Sequence, residues 1–354
     1  MQLPVMPPLK PMLAKARPEV PDQPDPSGEP VWLYEPKWDG FRCIVFRDGD
    51  EVLLGSRNLK PLDRYFPEVL RAALAELPPR VVLDGELVVP RERDGRTRLD
   101  WEALSQRIHP AASRIALLSE QTPAQIIAFD CLALDDEDLL EQPLARRRAA
   151  LESVFERRAA DGVAGGSVHL SIATTDAATA RGWFATFEGA GLDGVVAKRL
   201  DGPYRPDVRD MIKIKHHRTA DCVVVGYRRH KSVDGVGSLL LGLYDGDRLH
   251  MVGGASAFPT TERRRLLQFL QDYRVGADVT AEGEKNRWNA REDSSFVPLR
   301  PELVVEVEYD QMEGDRLRHA GRVLRWRSDK DPAACGYDQL EVPVRYDLSD
   351  VLAR

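Results

Sequence analysis

A lysine closely followed by Asp-Gly is the sharpest candidate for chemistry in the sequence. It occurs in the run Glu35-Pro36-Lys37-Trp38-Asp39-Gly40, directly after a strand-like segment. Lysine is a nucleophile only when its amine is neutral, and its unperturbed pKa is about 10.4. Burial and neighbouring cations lower that pKa and so activate the amine. The same short motif also suits an ordinary surface turn, so the rest of the sequence must decide between the two interpretations.

Further short motifs follow the lysine, and each of them is weak by itself. They are Ser56-Arg57, Asp84-Gly85-Glu86, Phe129-Asp130, Asp193-Gly194-Val195-Val196-Ala197-Lys198, Lys213-Ile214-Lys215 and Arg325-Trp326-Arg327-Ser328-Asp329-Lys330. Cations positioned around a phosphoryl group neutralise its charge, which is most of what phosphoryl transfer requires of a protein. A pocket that brought Lys198, Lys213 and Lys215 near Lys37 would also lower the pKa of Lys37.

Length and composition limit the class of protein. The chain has 354 residues, of which 43% are hydrophobic, and this length suits two domains with separate cores. Its four cysteines lie far apart without a CxxC pair, so we expect neither a zinc site nor a disulfide framework. No apolar run reaches the length of a membrane span. We therefore expect a cytoplasmic protein that does not bind membranes.

The charge distribution permits a nucleic-acid partner without requiring one. The net charge is −7, which alone argues against binding to nucleic acid. Binding depends on local patches, however, and basic residues concentrate in residues 205–231 and again in residues 316–330. Trp288 is a possible DNA contact, although packing inside a domain is the favoured interpretation.

The elements that must position these motifs change character along the chain. Up to about residue 215, strand-like runs alternate with helical ones over residues 65–77, 100–108, 144–158 and 178–189. Later residues are mostly β, with one helix at about 261–273, which suits a small closed barrel such as an OB-fold. The predicted fold is α+β, with a first domain at residues 1–217 and a barrel domain at residues 218–354.

In order and spacing, the motifs resemble the nucleotidyltransferase series of ATP-dependent DNA ligases, and most closely the compact bacterial ligase C type. The resemblance covers nearly the whole chain and implies an adenylation domain of antiparallel sheets with flanking helices, followed by an OB-fold domain. It implies that Lys37 attacks the α-phosphate of ATP and carries AMP. The AMP then passes to the 5′-phosphate of a nick, and the 3′-hydroxyl displaces it.

The resemblance also assigns roles to individual residues. The implied catalytic residues are Lys37, Lys213, Lys215, Arg327, Asp329 and Lys330. The implied nucleotide-binding residues are Glu35, Asp39, Gly40, Arg42, Arg57, Glu86, Phe129, Lys198, Lys213 and Lys215. Glu86 and Asp193 are the implied ligands of Mg²⁺ or Mn²⁺. The family usually has glutamate where this chain has Asp193, whose side chain is shorter by one methylene.

Two alternatives stay open at this stage. An RNA ligase or an RNA-capping guanylyltransferase would have nearly the same pocket, and a non-catalytic nucleic-acid-binding scaffold belongs to another class of protein. Retention of Lys37 together with Lys213 and Lys215 argues against the scaffold. The expected partner is nicked double-stranded DNA, bound by a monomer in DNA repair. A Ku-like end-binding protein is a possible helper, because so short a ligase cannot easily encircle DNA.

Overall fold

The structure is a computed structural model that describes residues 1–25, 28–93, 95–163, 166–276, 281–282 and 295–352. Trp288, which the sequence offers as a possible DNA contact, lies outside the described residues. The chain forms two compact units. The first contains residues 1–215 and 343–354, and the second contains residues 216–342.

Strands and helices alternate in the first unit. The strands are β1 Leu13–Arg17, β2 Trp32–Pro36, β3 Phe41–Asp48, β4 Glu51–Ser56, β5 Arg80–Val88, β6 Pro90–Arg93, β7 Arg96–Leu99, β8 Gln125–Leu134, β9 Glu137–Asp138, β10 Val168–Leu170, β11 Val195–Arg199 and β12 Arg209–Ile214. The helices are α1 Pro67–Glu76, α2 Trp101–Gln106, α3 Ala112–Gln121, α4 Leu144–Ala160 and α5 Ala177–Thr186. Short 3₁₀ turns occupy Asp63–Tyr65 and Phe187–Ala190.

Two sheets organise this unit. One has the strand order β1-β12-β11-β2, and the other has the order β10-β8-β5-β3-β4, with β9 beside β8. Most neighbouring strands are antiparallel, whereas β1 with β12 and β10 with β8 are parallel pairs. The predicted α+β class with helices around antiparallel sheets is confirmed, and parallel pairing is confined to those two edge positions.

The central strand β5 shows how one sheet serves both a core and a site. Its apolar residues Val81, Leu83 and Leu87 pack in the same core as α1 and α4. Side chains of a strand alternate between the two faces of the sheet, so Glu86 points away from that core. Glu86 lines a cavity together with residues of the β1-β12-β11-β2 sheet.

The second unit is a small barrel. Its elements are β13 Arg218–Arg229, β14 Val236–Asp245, β15 Arg248–Ala255, α6 Thr260–Phe269, β16 Ala281–Glu282, β17 Ser295–Pro298, β18 Val304–Tyr309, β19 Met312–Glu313, β20 Arg316–Leu317 and β21 Arg322–Trp326, with 3₁₀ turns at Leu270–Tyr273, Pro332–Ala334 and Tyr337–Gln339. Strand β13 pairs with β14 and β18, β14 pairs with β15, and β18 pairs with β21. A parallel bridge between Ala255 and Gly321 closes the circle, as in an OB-fold.

The end of the chain differs from the sequence prediction. The predicted second domain extended to residue 354, whereas residues 343–354 belong to the first unit. The short helix α7 Ser349–Leu352 contributes Val351 to a core of that unit, and Leu348 is buried beside it. Residues 343–354 join the first unit because the apolar side chains of Leu348 and Val351 are buried there. Contiguity along the sequence does not determine which core a segment completes.

Two further findings complete the comparison with the sequence. Helix α3 was not predicted, because Ile115 and Leu118 are the only large side chains that it buries and its hydrophobic pattern is therefore sparse. No helix within the described ranges is long and apolar enough to cross a membrane.

Candidate active site

Lys37 stands at the end of β2, and the neighbouring strand fixes its backbone. The Lys37 amide donates to the Gly194 carbonyl at 2.8 Å, and the Asp193 amide donates to the Lys37 carbonyl at 2.9 Å. Gly194 has a φ of +120°, and a β-carbon there would lie 2.0 Å from the Ile214 carbonyl oxygen. Only glycine fits such a position. Sheet pairing thus brings Lys37 beside Asp193 from a distant part of the sequence.

The Asp-Gly of the lysine motif also has a steric basis. A β-carbon on Gly40 would lie 2.0 Å from the Leu87 carbonyl oxygen on β5, so glycine lets the two backbones approach. Trp38 is buried, and its indole N–H donates to Ser171 Oγ at 2.9 Å. These contacts hold the residues on both sides of the motif, which leaves the Lys37 side chain directed into a cavity.

The cavity has a volume of about 290 Å³ and lies wholly within the first unit. Charged residues from both sheets line it: Glu35, Lys37, Arg42, Arg57, Glu86, Lys198, Arg209, Lys213 and Lys215. Its apolar lining includes Met12, Trp38, Phe129, Val196 and Met211. A cavity with an aromatic wall and converging cations is suited to a nucleotide with its phosphates.

Asp193 joins two of the lysines. Its Oδ2 atom lies 2.6 Å from Lys37 Nζ and 2.6 Å from Lys215 Nζ. Burial of the Asp193 carboxylate opposes its charge, but the attraction of Lys37 and Lys215 is stronger and lowers its pKa. Two ammonium groups therefore contact this carboxylate, and the aspartate is a fixed negative charge between them.

The predicted lowering of the Lys37 pKa is wrong. Burial of the ammonium lowers its pKa, but the negative charges of Asp193, Asp39 and Glu86 outweigh burial, and the pKa of Lys37 is raised. The predicted lowering assumed that the surrounding lysines carry uncompensated charge. Lys215 is paired with Asp193, and Lys198 is paired with Glu35.

Lys198 and Glu35 form a buried ion pair beside the aromatic wall. Lys198 Nζ lies 2.5 Å from Glu35 Oε2, and Arg148 Nη1 lies 3.4 Å from Glu35 Oε1. Lys198 also donates to the Phe129 carbonyl at 3.2 Å, with its ammonium 4.5 Å from the centre of the Phe129 ring. This network fixes Phe129 at the wall of the cavity.

Arg42 is held by a carboxylate that sequence reasoning did not assign to the site. Its Nε and Nη2 atoms donate to the two oxygens of Asp84 at 2.6 and 2.5 Å, and its guanidinium lies 4.5 Å from the centre of the Phe129 ring. Asp84 is fully buried and also accepts from the Tyr204 hydroxyl at 2.5 Å. Asp84 belongs to the quoted Asp-Gly-Glu motif, so its burial on the central strand was the signal that could have identified it.

Glu86 faces the cavity, and its pKa is shifted in the opposite direction from that of Asp193. Burial raises the pKa of Glu86 to about 7, although Arg42 and Lys37 oppose the rise. Its carboxylate makes no hydrogen bond or ion pair to the described residues. A carboxylate that is costly to ionise and that faces a cavity suits a cation brought by a ligand.

The residues fit a divalent metal that is shared with a phosphate. Within the described residues, no group of three or more His, Cys, Asp or Glu side chains could hold a metal ion by itself. Magnesium is usually held by one or two carboxylates and completed by substrate phosphates and water. Glu86 and Asp193, both close enough to Lys37 to influence its pKa, provide such an oxygen set.

Two other predicted cations remain accessible. Lys213 lines the cavity, and burial together with Lys215 and Lys37 lowers its pKa. Arg57 is exposed and also lines the cavity. Neither side chain has an ion pair within the part of the chain that the structure describes. Both are therefore open to an anionic ligand.

Arg327, Asp329 and Lys330 form a separate cluster in the second unit. Arg327 Nη1 donates to both oxygens of Asp221 at 2.9 and 3.0 Å, and Lys330 Nζ lies 3.5 Å from Asp221. Arg327 also donates to both oxygens of Asp329, from Nε at 2.9 Å and from Nη2 at 2.8 Å. Sequence reasoning missed Asp221, which lies in a strand-like run and belongs to no motif.

Comparisons with known proteins bear on the whole chain. Residues 11–215 match the family model described as ATP dependent DNA ligase domain, and residues 232–330 match the ATP dependent DNA ligase C terminal region. DNA ligase C1 of Mycolicibacterium smegmatis is 57% identical, with 99% of each chain covered. DNA ligase C of Mycobacterium tuberculosis is 54% identical, again with 99% of each chain covered.

The chain belongs to the ATP-dependent DNA ligase family. Its members seal nicks in DNA with ATP, through AMP held covalently on the enzyme and with a divalent metal, and this is the activity of the chain. The open alternatives of an RNA-specific enzyme and a non-catalytic scaffold are thereby set aside. A solved structure of a Lig E DNA ligase has a TM-score of 0.54 at 16% identity, covering 89% of this chain and 99% of its own, and it supports the ligase fold alone.

Proposed function

We propose that Lys37 is the residue that carries AMP in this ligase. The observation that carries the proposal is the position of Lys37 Nζ in a cavity with an aromatic wall, 2.6 Å from Asp193 and beside three further lysines. In the first step, the Lys37 amine forms a bond to the α-phosphorus of ATP. The bond from that phosphorus to the bridging oxygen breaks, and pyrophosphate leaves.

Lys37 must lose its extra proton before it can attack. Asp193 Oδ2 accepts a hydrogen bond from the ammonium, but its lowered pKa makes it a poor acceptor of the proton, which we propose passes to water. The same carboxylate favours the protonated form of Lys37, because its charge helps to raise the pKa of Lys37. Any cation that competes for Asp193 weakens this attraction and favours the neutral amine.

The other cavity residues are proposed to bind the nucleotide. Phe129 offers a ring for stacking of adenine, with Glu35 and Lys198 holding that wall in place. Lys213, Lys215, Arg42 and Arg57 are proposed to face phosphate or ribose oxygens. Glu86 and Asp193 would hold a divalent metal, which would supply positive charge that offsets the negative charge of the phosphates. Asp39 and Gly40 position the lysine motif.

The second and third steps use the same cavity with DNA. The 5′-phosphate of the nick attacks the AMP phosphorus, and the bond to Lys37 Nζ breaks. The 3′-hydroxyl then attacks the activated 5′-phosphate, and AMP leaves. Arg57 is exposed and without an ion pair in the described part of the chain, so we propose that it contacts the nick phosphate.

Arg327, Asp329 and Lys330 are proposed to serve the first step alone. Asp329 fixes the plane of the Arg327 guanidinium, and a fixed guanidinium favours bidentate contact with phosphate. We propose that Arg327 and Lys330 orient the pyrophosphate group of ATP. Variants at these positions should slow labelling by ATP and leave the sealing of pre-adenylated nicks unchanged.

Transfer of label from α-labelled ATP tests the assignment of Lys37. Wild-type protein should gain label that acid releases and alkali does not, as expected for a phosphorus–nitrogen bond, and nicked DNA should take it up. In Lys37→Ala the label should fall by roughly a thousandfold or more. Lys15→Ala, which alters an exposed lysine of β1, should label like wild type. Undiminished label in Lys37→Ala would overturn the assignment, and transfer to nicked RNA alone would revise the substrate.

The wider context is also a proposal. We propose that the ligase works as a monomer in the cytoplasm, where ATP and DNA are available, and that it acts in DNA repair. Its net charge of −7 gives little general attraction to DNA, so a Ku-like end-binding protein would raise its occupancy at breaks. Sedimentation would test the monomer, and ligation across a salt series with and without such a protein would test the helper. Sealing that stayed efficient alone at high salt would contradict the need for one.

A further inference from the structure

The hairpin that follows strand β5 in the chain carries four arginines on one face. Strands β6 and β7 pair with Arg91 opposite Arg98 and Arg93 opposite Arg96. Residues directly opposite in an antiparallel pair share a face, as do residues two apart along a strand. All four guanidinium groups therefore project from the same side of the ribbon. Each of these arginines is exposed.

The positive charge of this face is only partly compensated. Asp100 Oδ2 lies 3.3 Å from Arg91 Nη1 and 3.0 Å from Arg93 Nη2. Asp100 is also committed to α2, because its Oδ1 accepts from the Ala103 amide at 2.9 Å. The side chains of Arg96 and Arg98 make no ion pair or hydrogen bond in the described ranges. The charge of Arg96 nevertheless contributes to the lowered pKa of Asp347.

The ribbon is anchored despite this repulsion. Like charges directly opposite each other destabilise a strand pair, and an isolated two-stranded ribbon is marginal. Leu99 is buried in a core of the first unit. The Leu348 amide donates to the Thr97 carbonyl at 2.9 Å, and the Thr97 amide donates to Asp347 Oδ2 at 3.4 Å. Residues 347–348 at the end of the chain thus hold β7 from its free edge.

The hairpin lies a short chain distance from the cavity. Glu86 lines the cavity, and Arg91 follows it by five residues. A strand advances by at most about 3.4 Å per residue, so Arg91 lies within roughly 17 Å of Glu86 and Arg93 within roughly 24 Å. Phosphates follow one another at about 3.4 Å per base pair along each strand. The arginine face is therefore within about seven base pairs of a nick at the cavity.

We propose that the arginine face of residues 91, 93, 96 and 98 binds the phosphate backbone of duplex DNA on one side of the nick. This inference rests on the proposed use of the cavity for the nick. Arginine contacts to phosphate are charge-assisted and independent of base sequence, as a ligase of arbitrary nicks requires. Arg96 and Arg98 contribute most, since Asp100 does not engage them.

The salt dependence of DNA binding tests the proposal. In Arg96→Gln/Arg98→Gln, affinity for a nicked duplex should fall about tenfold at low salt, and the slope of log affinity against log salt should become shallower by about two. The loss should be the same for unrelated sequences. Arg96→Lys/Arg98→Lys, which keeps the charge, should retain most of the slope. The matched control is Arg71→Gln/Arg114→Gln, which removes two exposed arginines from α1 and α3; it should keep the wild-type slope.

Shortening the duplex locates the contact. When one flank is shortened stepwise from about fifteen base pairs, the difference between wild type and the Gln variant should disappear at a flank length of about seven base pairs or fewer. The other flank should have no such effect. An unchanged slope, a slope change equal to that of the control, or a defect that persists with either flank shortened would overturn the proposal.

Labelling by α-labelled ATP separates this proposal from that of Lys37. Labelling needs no DNA, so the Gln variant should label at the wild-type rate, which also shows that the hairpin change leaves the cavity intact. If the Lys37 assignment were wrong, the label would be found on another residue. The slopes of log affinity against log salt would still differ between wild type and the Gln variant as predicted. A Gln variant that labels poorly would show a structural role for the hairpin and would count against a DNA-binding face.

Discussion

Each of the two units holds its candidate cations on a single aspartate, and the two clusters differ in the kind of cation. Asp193 in the first unit contacts the ammonium groups of Lys37 and Lys215, each at 2.6 Å. Asp221 in the second unit contacts the guanidinium of Arg327 at 2.9 Å and the ammonium of Lys330 at 3.5 Å. The two aspartates are similarly buried, with 11% and 13% of their side chains exposed.

The difference separates covalent chemistry from phosphate binding. A lysine can lose its proton and attack, and its pKa responds to its neighbours, whereas arginine stays charged in proteins. The Asp193 cluster contains two lysines that line the cavity, Lys37 and Lys215, and we place the nucleophile at Lys37. The Asp221 cluster can orient an anion, and its Arg327 is already fixed from a second side by Asp329. The two clusters should respond differently when their aspartates are neutralised.

The largest expected effect is that of Asp193→Asn. This change removes the counter-charge of Lys37 and Lys215 and one proposed oxygen ligand of the metal, so the rate of labelling by ATP should fall roughly a hundredfold or more. Asp193→Glu keeps the charge and should stay within about tenfold of wild type. Rapid-quench labelling at saturating ATP would measure both rates. If the Asp193→Asn variant were labelled at the wild-type rate, the Asp193 cluster would have no part in the first step.

A metal titration of the same variant would separate the two causes. Loss of a metal ligand should raise the concentration of Mg²⁺ needed for half-maximal labelling, and excess metal should restore part of the rate. Loss of the counter-charge should leave the metal requirement unchanged. Thermal melting of both variants would show whether the fold is retained.

The pH dependence of the first step gives the second test of the comparison. Lys37 must be neutral to attack, and its pKa is raised, so labelling should rise by about tenfold per pH unit below that pKa. Asp193 is one of the charges that raise the pKa, so Asp193→Asn should lower it and move the rise towards lower pH. Asp221→Asn should leave the pH curve of labelling in place. Coincident curves for wild type and Asp193→Asn would contradict the role of Asp193 in holding the proton.

The sequence predicted much of this arrangement, but not its charge balance. The strand-like run before Lys37 placed the motif at the end of β2, and the strand pattern after residue 215 predicted the barrel. Asp193 lies 156 residues from Lys37, and only the family resemblance suggested that the two belong together. The direction of the Lys37 pKa was predicted wrongly, because the prediction counted the neighbouring lysines and left out the negative charges of Asp193, Asp39 and Glu86.

The two carboxylates that sequence reasoning missed were unpredictable for the same physical reason. Asp84 and Asp221 act through contacts across a sheet or a loop, and such contacts depend on strand register rather than on sequence neighbours. The return of residues 343–354 to the first unit has the same origin, because Leu348 and Val351 fill a core that was built much earlier in the chain. Motif spacing identifies reactive side chains, whereas tertiary packing decides which of them are already neutralised.

The smallest expected effect is that of Asp221→Asn. Both Arg327 and Lys330 would lose the charge of the Asp221 carboxylate, but Arg327 would keep its two contacts with Asp329, so its charge and much of its orientation should survive. Labelling at low ATP should fall by about fivefold, since an exposed or partly exposed ion pair contributes on the order of 1 kcal/mol. Sealing of pre-adenylated nicks should not change. Asp331→Asn, which alters a nearby aspartate outside the cluster, is the matched control. A loss as large as that of Asp193→Asn would mean that the second cluster shares in the chemistry of the first, and the distinction between a lysine cluster for attack and an arginine cluster for binding would fail.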